Sequence, residues 1–207
     1  MTAVARAQDI LLYWFGPRPY TAAGLEPHVR LWFGAHAAPE LLPQADELIR
    51  DRFADSLQAA EEGRLAGWDS SPRRRLALIV LLDQFSRHVY RGTAQAYGND
   101  HAALSLSISG MLLGADAALD PVERIFFYMP LQHAESLDVQ EESVAAFRRL
   151  PSEAPPELTS VFDSALAAAI GHRDTIARFG RFPYRNAVLG RETTREEAGW
   201  LASHDTP

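Results

Sequence analysis

Apolar residues along this chain recur mostly at spacings of three and four, so helices are predicted over nearly its whole length. Residues 3–15 form a short amphipathic stretch that ends at Gly16-Pro17, with Pro17 and Pro19 marking a loop. A second short helix is predicted over 25–33, stopped by Gly34. From about Pro39 to Glu62, Leu42, Ala45, Leu48, Ile49, Phe53 and Leu57 share one face, with Gly63 as the expected stop. Ser71-Pro72 reads as an N-cap followed by proline at the first helical position. The run Leu76 to Leu82 is apolar on every side, which places its helix at the centre of the fold.

Further helix starts follow at regular intervals. Asn99 is the expected cap of a helix running to Gly114. Asp120-Pro121-Val122-Glu123 has the form of a capping box with proline at N1. Another helix is predicted from about Asp138 to Leu150, and Pro155-Pro156 introduces one that runs to Phe179 and closes at Gly180. Thr193 or Thr194 caps a last short helix near 195–202. Starts near 99, 120, 138 and 156 describe two helical hairpins at a spacing of about 38 residues, within the range of helical-repeat proteins. The tetratricopeptide consensus itself is weak. The expectation is an all-α, tetratricopeptide-like hairpin array in one domain: N-terminal helices over 3–63, hairpins over about 71–180, and a C-terminal strap with a short helix over 181–207. No period-2 strand stands out, and no linker divides the chain.

Composition narrows the chemistry. With 207 residues, 47% hydrophobic and 23% charged, the chain has the balance of an ordinary globular protein. It has no cysteine, which excludes disulfide scaffolds, thiolate metal sites and a cysteine nucleophile. Asp9 and the short apolar run Ile10 to Phe15 argue against a signal peptide, and no apolar stretch has the length of a membrane helix. A cytoplasmic protein without membrane association is expected. The net charge of −7 disfavours non-specific nucleic-acid binding. All 20 basic residues are arginine, so Schiff-base lysine chemistry and a P-loop are excluded. There is no Gly-rich phosphate loop, no His-Glu-x-x-His and no Gly-x-Ser-x-Gly, and the pattern suggests neither a cofactor nor a metal.

Three segments carry candidate chemistry. Residues 73–91 hold five arginines against one acid, Asp83, and residues 172–191 hold five against Asp174. In an acidic chain such clusters either build an anion site or pair with acids elsewhere in the fold. Asp83 stands at the end of the most apolar helix, where its charge requires a partner, either Arg87 or an arginine of the C-terminal segment. The middle segment runs from Glu123 to Glu135. It offers Arg124, Tyr128, His133 and Glu135, with Pro130 expected to kink or end the helix. His133 with Glu135 has the composition of a general base and its orienter, although a histidine among aromatics is more often structural. The third segment presents His172, Arg173, Arg178, Arg181, Arg185 and Asn186 around Gly and Pro turns.

These segments resemble a bacterial family of unknown function, DUF 924. The matching stretches are Leu81-Leu82-Asp83-Gln84-Phe85 with Arg87, Arg91 and Gly92; Glu123-Arg124 with Phe126 to Leu131, His133 and Glu135; and His172-Arg173-Asp174 through Arg178 to Pro183, Arg185-Asn186 and Leu189-Gly190-Arg191. Tyr13-Trp14-Phe15-Gly16 is similar to the family's N-terminal signature. The resemblance implies a tetratricopeptide-like helical fold and no established activity. His88, Ser86 and Tyr184 depart from the family pattern of Asn, Pro and His.

Three functional readings follow. In the first, a small anionic molecule or a carboxylate-bearing peptide binds a groove lined by Arg87, Arg91, Arg124, Tyr128, Arg173, Arg178, Arg181, Arg185 and Asn186. In the second, His133 or His172 is an acid–base catalyst oriented by Asp83 or Glu135. In the third, the arginines only tie the strap to the core. Asp83, Arg87, Arg124, His133, Glu135, His172, Arg173 and Arg181 are expected to lie close together.

Overall fold

The computed structural model describes residues 4–37, 40 and 42–203, and among these it is helical with no strand. In chain order the helices are α1 (Ala7–Phe15), α2 (Ala22–Ala37), α3 (Leu42–Glu61) and α4 (Pro72–Ile79), followed by α5 (Ser86–Val89), α6 (Asp100–Leu112) and α7 (Pro121–Gln132). The series ends with α8 (Leu137–Arg149), α9 (Thr159–Phe179) and α10 (Arg195–Leu201). A wide-turn, π-type segment, Val80–Phe85, joins α4 to α5 without a break. From α6 to α9 each helix packs on the next, as consecutive hairpins should. No helix among the described residues is long and apolar enough to cross a membrane.

The central helix is where its composition puts it. No residue from Leu76 to Leu82 is more than 8% exposed, and α4 lies against α1, α6 and α7. Aromatic rings fill the space around it. Trp14 meets Phe85 at 5.6 Å and Phe126 at 5.4 Å, both edge to face. Capping chemistry sets several ends. Asp120 Oδ1 accepts from the Val122 amide at 3.0 Å, and Glu123 reaches back to the Asp120 amide at 3.2 Å. Thr194 and Glu197 form the same reciprocal pair at α10. Gly180 closes α9 at φ 68°, the left-handed conformation that glycine adopts without strain.

Several boundaries differ from the sequence pattern. α2 begins before residue 25 and runs through both Pro27 and Gly34, because one interior glycine costs only about 1 kcal/mol and does not by itself end a helix. α1 starts at Ala7 rather than residue 3, and the first three residues and the expected start at Pro39 lie outside the described residues. The helix expected from Pro155-Pro156 begins only after a single turn, Pro156–Leu158, and the end of the strap, 204–207, is outside the described residues. Asn99 precedes α6, but its side chain does not cap it. Its amide donates instead to Glu61 at 2.8 Å and Ser86 at 3.0 Å. Pro130 lies inside α7, which ends two residues later at Gln132.

One glycine fixes a helix spacing. A Cβ on Gly110 of α6 would stand 2.5 Å from Phe127 Cζ of α7 and 2.7 Å from Arg75 Cδ of α4. Gly110→Ala should therefore lower stability by about 1–3 kcal/mol through overpacking. Gly171→Ala, in α9 with open space around it, should raise stability by up to about 1 kcal/mol. Urea denaturation of both variants measures this, and equal stability of Gly110→Ala and the parent would show that α6 is not held there. Leu81→Asp should abolish cooperative folding, as read by circular dichroism, since Leu81 is fully buried and a carboxylate there would be taken out of water.

Candidate acid–base site

Five elements meet at one chain of alternating charge. The wide turn carries Asp83, which is fully buried. The end of α7 carries His133, and its Nδ1 lies 2.7 Å from Asp83 Oδ1. Gln84 donates to Asp83 Oδ2 at 2.6 Å, and Arg87 of α5 lies 3.4 Å from Oδ1. Arg87 also reaches Asp100, at the start of α6, at 2.9 Å. Arg185 of the strap completes the chain with Asp100 at 3.0 Å. Imidazole, carboxylate, guanidinium, carboxylate and guanidinium thus follow one another. Tyr97 lies beneath both arginines, with centroids 5.4 Å from Arg87 and 4.5 Å from Arg185. Phe182 also lies 4.6 Å from Arg185 and stacks on Tyr184 at 5.3 Å.

His172 of α9 stands beside this chain. Its ring centroid is 6.2 Å from that of His133 and 5.4 Å from that of Phe182. Gln132, next to His133, places Oε1 3.0 Å from His172 Nδ1. Gln132 Nε2 is buried and has no acceptor among the described residues, and the same holds for Arg185 Nε.

The electrostatics separate the roles of the two dyad members. Burial alone would raise the Asp83 carboxyl, but His133, Arg87 and Gln84 outweigh it and hold it well below the usual carboxylate range. Burial lowers the His133 imidazole, and Arg87 adds to that, while Asp83 opposes it only in part. At neutral pH the imidazole is therefore neutral. Nδ1–H donates to the carboxylate, and Nε2 keeps the lone pair that a general base needs. Burial pushes the Tyr184 phenol up, so its hydroxyl stays protonated.

The remaining candidate residues fall into separate groups. Glu135 anchors the strap: Oε1 accepts the Phe182 amide at 2.8 Å and Oε2 takes Arg191 at 2.7 Å. Arg181 pairs with the buried Glu197 at 2.7 Å, and Asn186 lies 3.3 Å from the same carboxylate. Arg124 binds the backbone carbonyls of Leu119 and Ala117, and Tyr128 donates to Asp116 at 2.5 Å, so both serve the turn before α7. Arg173 holds Glu141 and Asp174, and Arg178 holds Glu196, in exposed pairs. Arg91 joins a second buried dyad, Asp46–His88, whose Nδ1–Oδ1 distance is 2.8 Å. The expected cluster of eight therefore divides: Asp83, Arg87, His133 and His172 come together, and Arg124, Glu135, Arg173 and Arg181 are engaged elsewhere. Sequence reasoning did not single out Tyr97, Asp100 or Gln132. Asp100 reads as an ordinary first-turn acid, and its partner Arg185 is 85 positions away.

Among the described residues no group of three or more His, Asp or Glu side chains is arranged to hold a metal ion. A concavity of about 520 Å³ is lined by Leu12, Tyr13, His28 and Arg52 and by none of the candidate residues.

These shifts fix the direction of the pH response. Burial lowers His28, His88 and His133 below their ordinary value of 6.5. Below about pH 6.5 the unfolded chain then binds more protons than the folded one, so stability should fall as pH drops from 7 to 5. Asp46, Asp83 and Glu135 are held below their ordinary values and add a second loss below about pH 4. Urea midpoints at pH 8, 6.5 and 5 measure the first step. His133→Asn should flatten it, and an unchanged slope would place the titration outside the dyad.

The comparisons agree with the helical arrangement. No match is found among curated proteins. A solved structure of a protein of unknown function, ATU0120 from Agrobacterium tumefaciens, is similar with 33% identity and a TM-score of 0.73, covering 96% of this chain and 97% of that one. The profile of a bacterial protein family of unknown function matches residues 10–205. The chain belongs to that family, DUF924.

Proposed function

We propose that this protein is an enzyme in which His133, oriented by Asp83, removes a proton from water or from a small substrate. The observation that carries the reading is the fully buried carboxylate 2.7 Å from the imidazole, presented on a π-type turn. Wide turns of this kind recur at functional sites because they re-aim side chains that a regular helix would place otherwise. Asp83 fixes the tautomer and orientation of the ring, as the acidic member does in catalytic triads. Among the described residues, Gln132 Nε2 and Arg185 Nε are buried N–H groups without acceptors, a feature suited to holding a carbonyl or hydroxyl oxygen of a ligand.

An anion clamp has less support. Arg87, Arg91, Arg173, Arg178, Arg181 and Arg185 each already hold an internal carboxylate. The charges at the dyad balance, two aspartates against two arginines, which favours a substrate of low net charge. The helices supply the frame, and the strap is tied to it through Arg185 and Glu135.

The test is a turnover screen over small esters, amides and hydroxy compounds, followed by variants on any substrate found. His133→Gln and Asp83→Asn should each lower kcat by about 10²–10⁴-fold. The rate should rise with pH through a value below 6.5, since the free base is the active form. If both variants keep full activity and change only the melting temperature, the dyad is structural and the reading fails.

A further inference from the structure

The arginines around the dyad and the strap are answered by carboxylates of the chain itself. Arg52 of α3 is not: among the described residues no Asp or Glu makes an ion pair with it. Its guanidinium lies over the rings of Tyr13 and Phe53 instead, 4.7 and 5.1 Å from the two centroids. Arg52 and Tyr13 line the concavity of about 520 Å³ where α1, α2 and α3 meet. The remaining wall is largely apolar, with Leu12 from α1 and Pro27 and Leu31 from α2. Leu12 is 55% exposed, so much of its surface is open to an occupant. Apolar walls, a volume of a few hundred cubic ångströms and a few polar groups are the ordinary make-up of a small-molecule site.

The charges around the cleft select its occupant. Asp9 is the acid of the lining, and Arg6 closes on both its oxygens, Nε at 2.9 Å from Oδ2 and Nη2 at 3.0 Å from Oδ1. His28 hydrogen-bonds the backbone at Tyr13 and Trp14, and burial keeps its imidazole neutral at pH 7. The charge left over is that of Arg52. Stacking on an aromatic ring fixes a guanidinium plane and leaves its N–H edges available, and those edges match a carboxylate in a two-pronged contact. The Tyr13 hydroxyl has no hydrogen-bond partner among the described residues, and burial keeps it protonated, so it is a second donor. An adjoining concavity provides the contrast. It shares Asp9 and Leu12, but its own guanidiniums, Arg18 and Arg73, face Asp120 at 4.0 Å and Glu123 at 2.5 Å.

We propose that the cleft between α1, α2 and α3 binds a small monocarboxylate with an apolar tail. The carboxylate meets Arg52 and the Tyr13 hydroxyl, and the tail lies against Leu12, Pro27 and Leu31. The inference is independent of the activity proposed for His133, which does not line the cleft.

Calorimetric titration of the full chain with octanoate tests it. One site should saturate with a Kd of about 0.1–1 mM, as befits a ligand of about ten non-hydrogen atoms. Acetate lacks the tail and octanol lacks the charge, so each should bind at least about tenfold more weakly. Arg52→Gln should weaken octanoate about tenfold and leave octanol and the circular dichroism spectrum unchanged, because the side chain is exposed. Leu12→Ser should weaken octanoate and octanol alike, and His133→Gln should bind octanoate as the parent does. Failure to saturate by about 10 mM octanoate overturns the proposal, and so does octanol binding as tightly as octanoate. Octylammonium binding more tightly than octanoate overturns it in favour of a cation site at Asp9. Octanoate binding that Arg52→Gln leaves unaltered puts the ligand elsewhere and overturns it as well.

Discussion

The buried charge of Asp83 is the constraint around which this fold is arranged. A lone carboxylate inside an apolar core costs several kcal/mol, and a helix ending in Leu81-Leu82 provides nothing to offset it. The compensation comes from an imidazole of α7 and from the residues that follow Asp83, the Gln84 amide next in sequence and the Arg87 guanidinium one turn on. Arg87 in turn needs Asp100, and Asp100 needs Arg185, so the demand passes from core to strap. Removing one member leaves its neighbour buried with an unanswered charge, which costs more than deleting a whole pair. Structure and proposed chemistry share this origin, since the contact that stabilises Asp83 also fixes the His133 tautomer.

The strap is held differently from the rest of the chain. The helices from α1 to α9 share a continuous apolar cluster that runs from Ile10 to Ala169. Beyond Gly180 the attachments are mainly ionic: Glu135 to Arg191, Arg181 to Glu197 and Arg185 to Asp100. Apolar contacts add to these: Phe182 is fully buried against His172, Pro183 is buried beside it, and Trp200 meets Phe179 edge to face at 5.7 Å. The arginines concentrated in residues 172–191 thus act largely as fasteners, and the acids they fasten to lie on α6, α8, α9, α10 and the turn after α7.

How much of this the sequence reveals depends on the range of each interaction. Leu76 to Leu82 reads as central because its composition admits no solvent face. Asp120, Glu123, Thr194 and Glu197 read as caps because their partners are three positions away. Asp83 and His133 draw notice through local contrast, a charge ending an apolar helix and a base among aromatics. Asp100, Tyr97 and Gln132 do not, because their significance comes from partners brought in by tertiary packing. The π-type turn is silent too, since no Gly or Pro interrupts residues 76–89 to announce it. Arginine clusters mislead for the same reason. Net charge along a segment says nothing of where the opposing carboxylates fold, and here they fold onto nearly every guanidinium named.

Gly110 shows how far from the dyad its geometry is decided. Phe127 and Arg75 close on that position, and Ser107 donates to the Phe127 carbonyl at 2.6 Å, so α6 is gripped near its C-terminal end. Asp100 sits ten residues away on the same rod, about 15 Å along the axis. The helix is therefore a lever with its fulcrum at the glycine. A tilt of about 5° there moves Asp100 by about 1.3 Å over that arm, more than a 2.9 Å ion pair tolerates. The accuracy of the charge chain is in this sense stored at a residue with no side chain, and a methyl group added there acts at the site through mechanical advantage.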